Sequence, residues 1–225
     1  MELLSSPQFW LGLGQIIWIN IILSGDNAVV IALAARGLGP RQQKQAIFWG
    51  TAAAVLLRVV LTVVAVKLMQ MPWLQLVGGL LLLWIGVQLL NGGDDEASGG
   101  PANGGLLAAI RTILVADLVM SLDNVIGVAA AANGNIPLLV IGLAIAIPIV
   151  IFGSTLMIRI MGRFPAIVTL GAALIGWVGG ETLVSDKMIE PWIPHHSVGF
   201  YAAAALGALL VVAMGKYLQR RNKAD

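Results

Sequence analysis

Long apolar stretches alternate with short polar breaks along the chain, and seven stretches stand out. They run from about Phe9 to Ala35, Gln45 to Met69, Pro72 to Leu90, Leu106 to Ala132, Ile136 to Ile158, Phe164 to Val184 and Val198 to Leu218. Each is close to or above the ~20 residues that a helix needs to cross a bilayer core. None shows the ~10-residue alternation of a membrane β-strand. The pattern predicts an all-α membrane protein with seven transmembrane helices. Met1 to Leu23 does not read as a cleaved signal peptide, because it lacks a basic start and continues into a longer apolar stretch.

The polar breaks divide the chain. The segment 91–105, N-G-G-D-D-E-A-S-G-G-P-A-N-G-G, is the clear linker, Gly-rich and acidic, and predicts a flexible cytoplasmic connection. The halves on either side resemble each other. Asn20 to Asn27 reads N-I-I-L-S-G-D-N, and Asp117 to Asn124 reads D-L-V-M-S-L-D-N. Ser24, Asp26 and Asn27 thus match Ser121, Asp123 and Asn124, while Asn20 matches Asp117. Further on, Pro72, Gly78, Trp84 and Gly86 match Pro165, Gly171, Trp177 and Gly179. Three spans per copy is an odd number, so the second copy enters the membrane from the opposite side. That is an inverted 3+3 repeat, a design of many secondary transporters, whose sites lie near the midplane between the copies. The expected organisation is a first three-helix repeat over 1–90, the linker 91–105, and a second repeat over 106–185. An outer loop, a peripheral seventh helix and a basic tail then fill 186–225.

Charge sets the orientation. With the N-terminus outside, ten of the 13 Lys and Arg residues fall inside, among them Arg36, Arg41, Lys44, Arg111, Arg163 and Arg220. Only Lys67 and Lys187 fall outside, and Arg58 lies within the second span. The positive-inside rule therefore places the N-terminus outside and the C-terminus inside. Composition narrows the class further. Of 225 residues 59% are hydrophobic and 11% charged, too few charges to cover a soluble surface. Seven spans leave no room for a separate soluble catalytic domain. The count of 0 Cys excludes disulfides, thiolate metal sites and cysteine nucleophiles. The net charge of +2 reads as a topology signal rather than a nucleic-acid surface.

Ionisable residues inside spans are costly and mark function. Here they are Asp26, Asp117, Asp123, Glu181 and Arg58. Ionised and unpaired, they would be prohibitive, so they call for bound cations, protons or both. Asp117, Ser121 and Asn124 share one helix face, as do Asn20, Ser24 and Asn27. Asp26 and Asp123 lie about 100° from those faces. A break at Ser24-Gly25 would turn Asp26 inward; the matching position, Ser121-Leu122, has no glycine. The donor set is Asp26, Asn27, Asp117, Asp123, Asn124 and Glu181, supported by Asn20, Ser24, Ser121 and Arg58. Such oxygen donors suit hard or borderline divalent cations such as Mn²⁺, Mg²⁺ or Ca²⁺. The competing reading is hydrogen bonding between helices with no further role. Arg58 has two open roles: permanent partner of one acid, or stand-in for the cation when the site is empty. Trp10, Trp73 and Trp192 read as an interfacial belt, Trp84 and Trp177 as core packing, and His195-His196 as a hydrated loop.

The stretches S-G-D-N-A-V-V-I-A-L-A-A-R, Ser24 to Arg36, and A-D-L-V-M-S-L-D-N-V, Ala116 to Val125, resemble the TerC family of integral membrane proteins, and in particular its YjbE-like branch. The resemblance covers essentially the whole chain. It implies a fold similar to the LysE transporter superfamily, a bacterial inner-membrane location and a link to tellurium resistance. It further implies export of divalent metal ions, foremost Mn²⁺, as transported substrate, with no tightly bound cofactor and no enzymatic activity. By the same resemblance Asp26 and Asp123 are the main ligands, with Asp117 beside them. Asn20 stands where the resemblance leads one to expect an acid, which leaves the first half one charge short. The partners are then the lipid bilayer and the metal ion. Three other classes compete. An intramembrane aspartyl protease would use two Asp sharing a proton, although Leu23-Ser24-Gly25-Asp26 only partly resembles the G-x-G-D arrangement. An exporter of an amino acid or similar solute would need a wider cavity. A non-transporting membrane partner would assist metal loading or secretion.

Overall fold

The computed structural model describes residues 7–68, 71, 73–91, 105–132 and 136–222. Within the helices, the side chains of 7–9, 12, 19–24, 63, 65–68, 123–132 and 136 lie outside that description. The linker residues 92–104 fall outside it altogether, so the expectation placed on them is not addressed by the structure. The described residues contain no strand. They form α1 (Pro7–Ala35), α2 (Pro40–Leu68), α3 (Leu74–Asn91), α4 (Gly105–Ala132), α5 (Ile136–Arg163), α6 (Ala166–Val184) and α7 (Val198–Asn222).

Six of these helices, α2 to α7, carry stretches long and apolar enough to cross a membrane. In α1 the described apolar stretch is the shorter Gly25–Ala35. Only 28% to 44% of each apolar window in the six is buried, so most of each apolar surface faces outward. Leu56, Leu80, Leu107, Phe152, Leu170 and Leu209 are all exposed. Helices apolar on all sides cannot present such a surface to water. The protein is an integral membrane protein whose outer helix faces contact lipid.

Three helices run past the apolar stretches that predicted them. α2 begins at Pro40, a residue suited to a first helical turn, and takes in Arg41 and Lys44. α5 continues to Arg163 and α7 to Asn222. Arg and Lys are good helix formers, so a helix need not stop where its apolar residues do.

Two expectations are corrected. First, α1 and α4 are unbroken through Ser24-Gly25 and Ser121-Leu122. Helix continuity satisfies every backbone group, which an apolar surrounding demands. Asp26 therefore has no break to turn on; it is half-buried, while its neighbour Asn27 is 6% exposed. Second, Trp84 is not core packing. It is 57% exposed on the outer face of α3. Trp10, Trp73 and Trp192 are exposed too, as a belt requires.

The helices pack in pairs. α1 lies chiefly against α5 and α4, α2 against α4 and α5, and α3 against α6 and α7. Ile16 of α1 packs where a Cβ on Gly142 of α5 would stand, and Ile113 of α4 packs likewise against Gly50 of α2. A central cluster of Val30, Leu33, Leu82, Ile85, Ala116 and Ile175 ties α1, α3, α4 and α6 together. α7 sits on α6 and α3, away from α1, through small residues. A Cβ on Gly180 would collide with the Ala203 carbonyl, and one on Gly176 would stand 2.6 Å from the Gly207 carbonyl. Close backbone approach through small residues is a usual basis of helix association in lipid, where no hydrophobic drive acts between helices.

α3 has no acid in its first turn and no base in its last. Both ends are completed from elsewhere in the chain. At the start, the buried Asp186 accepts from the backbone N–H groups of Trp73 and Leu76, both at 3.2 Å, and of Met188 at 3.0 Å. Trp73 is held at a φ of 72°, a left-handed conformation that a bulky residue rarely adopts. Burial would raise the Asp186 carboxyl. The N–H donors of Met188, Leu76, Trp73 and Gln75 outweigh it and hold the group below the usual carboxylate range. At the other end, Arg36 donates to the Leu89 carbonyl at 2.8 Å and Gln219 to the Leu90 carbonyl at 2.6 Å. Acid at the N-terminus and base at the C-terminus also suit the helix dipole.

Candidate functional site

The packing of α2 on α4 places Arg58 beside Asp117. Arg58 Nη2 donates to Asp117 Oδ1 at 2.6 Å, and Arg58 Nε to Ser121 Oγ at 3.0 Å. Ser121 Oγ in turn donates to Asp117 Oδ2 at 3.2 Å. Asp117 and Ser121 are one helical turn apart on α4, so a single guanidinium spans both. All three are buried, with Ser121 fully so. Removing one member of such a pair typically costs about 3–5 kcal/mol, because the other charge is left uncompensated.

A small cavity of about 20 Å³ adjoins this triad. Its polar lining is Asn27 of α1, Thr51 and Arg58 of α2, and Asp117 of α4; Leu143, Ala146 and Val150 of α5 close it on the apolar side. The volume admits one water-sized guest. Thr51 is 2% exposed, and among the described residues its Oγ1 is the buried side-chain donor or acceptor without a hydrogen bond. Four other helical hydroxyls bond to the carbonyl four residues back: Thr62 to Arg58, Ser154 to Val150, Thr155 to Ile151, Thr182 to Val178. Thr51 does not. A buried hydroxyl without a partner costs about 1–3 kcal/mol.

A wider, half-open vestibule of about 310 Å³ lies at the end of the bundle where α1 and α3 finish and α4 begins. Arg36, Gln88, Asn91 and Thr112 line it together with Leu33, Leu38 and Ala109. Ile113, fully buried in a neighbouring apolar cluster, stands one turn before Asp117 on α4.

Four of the sequence-derived site residues thus meet: Asn27, Arg58, Asp117 and Ser121. Asp26 does not line the cavity. Glu181 stands apart on α6, where its Oε1 accepts from Trp177 Nε1 at 2.8 Å. The side chains of Asn20, Ser24, Asp123 and Asn124 lie outside the described residues. The described residues contain no group of three or more His, Cys, Asp or Glu that would hold a metal unaided. Sequence reasoning missed Thr51, a single hydroxyl in an apolar span. It also missed Asp186, which reads as an ordinary loop acid until the fold brings it to α3.

The chain is similar to membrane proteins of several bacteria. It is 41% identical to "Uncharacterized membrane protein YjbE" of Bacillus subtilis (strain 168), over 92% of this chain and 95% of that one. It is 23% identical to YceF of the same organism, over 94% and 84%. It is 24% identical to the "UPF0053 inner membrane protein YoaE" of Escherichia coli (strain K12), over 99% of this chain but only 45% of that one. The chain therefore spans less than half of YoaE. No solved structure matches it. The family described as "Integral membrane protein TerC family" matches residues 5–223. The chain belongs to the TerC family of integral membrane proteins.

Proposed function

We propose that the protein is a transporter that exports divalent metal cations, foremost Mn²⁺, across a bacterial inner membrane. All seven helices span, with the N-terminus outside and the C-terminus inside, and the first six form an inverted repeat with α7 added on the periphery. The observation that carries the reading is the buried Arg58–Asp117–Ser121 triad beside a water-sized cavity lined by Asn27 and Thr51. Buried charge among apolar helices is costly and marks function, and oxygen ligands with one carboxylate suit a hard divalent ion.

The pairing of helices supports the repeat. Exchange of the halves turns the α1–α5 contact into the α4–α2 contact, and both are extensive. Ile16 and Ile113, which fill the glycine gaps of those two contacts, are 97 residues apart, the separation of the two S-x-D-N motifs. The ion pair is not repeated: the match to Asp117 is Asn20, and the α5 residues near the match to Arg58 carry no charge. One Arg–Asp pair per chain follows, beside the repeated Asp26 and Asp123. The vestibule opens at the basic end of the bundle, near Arg36, as export from the cytoplasm requires.

The protease reading needs two carboxylates in contact. Those would be Asp26 and its counterpart Asp123, whose side chain lies outside the described residues; the cation reading is preferred because it uses the buried carboxylate that the fold sets beside a cavity, Asp117. The test is growth and cell metal content under Mn²⁺ stress, with and without the gene. Higher cell Mn²⁺ without it, corrected by wild type and not by Asp117→Asn, is expected. Equal Mn²⁺ in both strains contradicts export.

A further inference from the structure

The cavity and the ion pair beside it pose a conflict. Arg58 has its guanidinium on the Asp117 carboxylate at 2.6 Å. A divalent cation in the adjoining ~20 Å³ space would meet a positive charge and find the carboxylate taken. Without the cation, the buried carboxylate needs that guanidinium, because an uncompensated charge there is strongly unfavourable. The two states are therefore exclusive. Thr51 Oγ1 supplies the second observation. It is buried and has no hydrogen-bond partner, and it faces the same space as the Asn27 amide.

We propose that Arg58 and the transported divalent cation compete for the Asp117 carboxylate, and that Thr51 and Asn27 are the neutral oxygen ligands that receive the cation when the guanidinium leaves. This rests on the transporter reading above and adds to it a residue and a rule of occupancy. Arg58 is a tethered counter-cation. It keeps the site neutral in the absence of cargo, and its return to Asp117 favours cargo release. Ser121 guides the exchange, since its hydroxyl accepts from Arg58 and donates to Asp117. The described structure is the guanidinium-occupied state.

The test is Mn²⁺ titration of the purified full chain in detergent, followed by Mn²⁺ transport in proteoliposomes. Arg58→Gln removes the competitor: its Mn²⁺ affinity rises at least tenfold, while transport falls at least tenfold because the empty site loses its counter-charge. Thr51→Val, which keeps shape and removes only the hydroxyl, weakens Mn²⁺ binding about tenfold, and Thr51→Ser restores it. If Arg58→Gln does not fold, the equally neutral Arg58→Met carries the test, with tighter Mn²⁺ binding than wild type expected. Mn²⁺ binding unchanged or weaker in the folded Arg58 variant, or unchanged in Thr51→Val, overturns the proposal while wild-type transport still stands. Absence of Mn²⁺ binding and transport in wild type overturns the transporter reading itself.

Discussion

Arg58 and Asp117 stand 59 residues apart in sequence and 2.6 Å apart in space, buried where α2 crosses α4. A strut and a transport site make different demands on this pair. Replacing both residues by apolar ones of similar size, Arg58→Met with Asp117→Leu, should be near neutral for stability, as buried pairs often are. Asp117→Leu alone should cost about 3–5 kcal/mol. Thermal unfolding in detergent measures both. Transport should be lost in the double variant although it folds. A double variant that folds and transports would reduce the pair to a strut.

Asp186 fastens the start of α3 from 110 residues away. Asp186→Asn should cost about 1–2 kcal/mol, the range for loss of a helix N-cap. The pH dependence follows from the depressed carboxyl. With the folded value below the unfolded one, the stabilisation is fully present above the ordinary Asp range, near pH 4. It is lost as pH falls through the lower folded value. Unfolding midpoints between pH 6 and pH 2.5 should show a drop in wild type that is smaller in Asp186→Asn. Parallel curves would remove Asp186 from the account.

Glycines separate by what a methyl group would meet. Gly180→Ala places a Cβ against the Ala203 carbonyl and should destabilise the α6–α7 contact by about 1–3 kcal/mol. Gly25 has open space around it, so Gly25→Ala should be neutral or add up to about 1 kcal/mol. Gly25→Ala should also keep transport, because α1 is helical through that residue. Loss of transport in a well-folded Gly25→Ala protein would restore the idea of a break beside Asp26.

The helices were legible because an apolar run long enough to span has few other structures available. Their ends were less so: apolarity marks the lipid, whereas helix continues into Arg41, Lys44 and Arg163. Asp117, Ser121, Arg58 and Asn27 were legible as costly or periodic polar residues. Their grouping into one triad and one cavity was not, because it depends on which helices touch. Thr51 was invisible, since one hydroxyl in a span is ordinary until its usual carbonyl bond is found missing. Arg36 read as a topology charge alone, and its bond to Leu89 adds a second task. Trp84 misled because the repeat that pairs it with Trp177 says nothing about which face points outward.

The most direct measurement is uptake of Mn²⁺ into proteoliposomes that contain only this protein, loaded and unloaded across a Mn²⁺ gradient. The account expects saturable uptake by wild type, a reduction of at least tenfold in Asp117→Asn, and little change in Glu181→Gln, whose side chain bonds to Trp177 away from the cavity. Equal uptake by wild type and Asp117→Asn would contradict the claim that this carboxylate carries the ion.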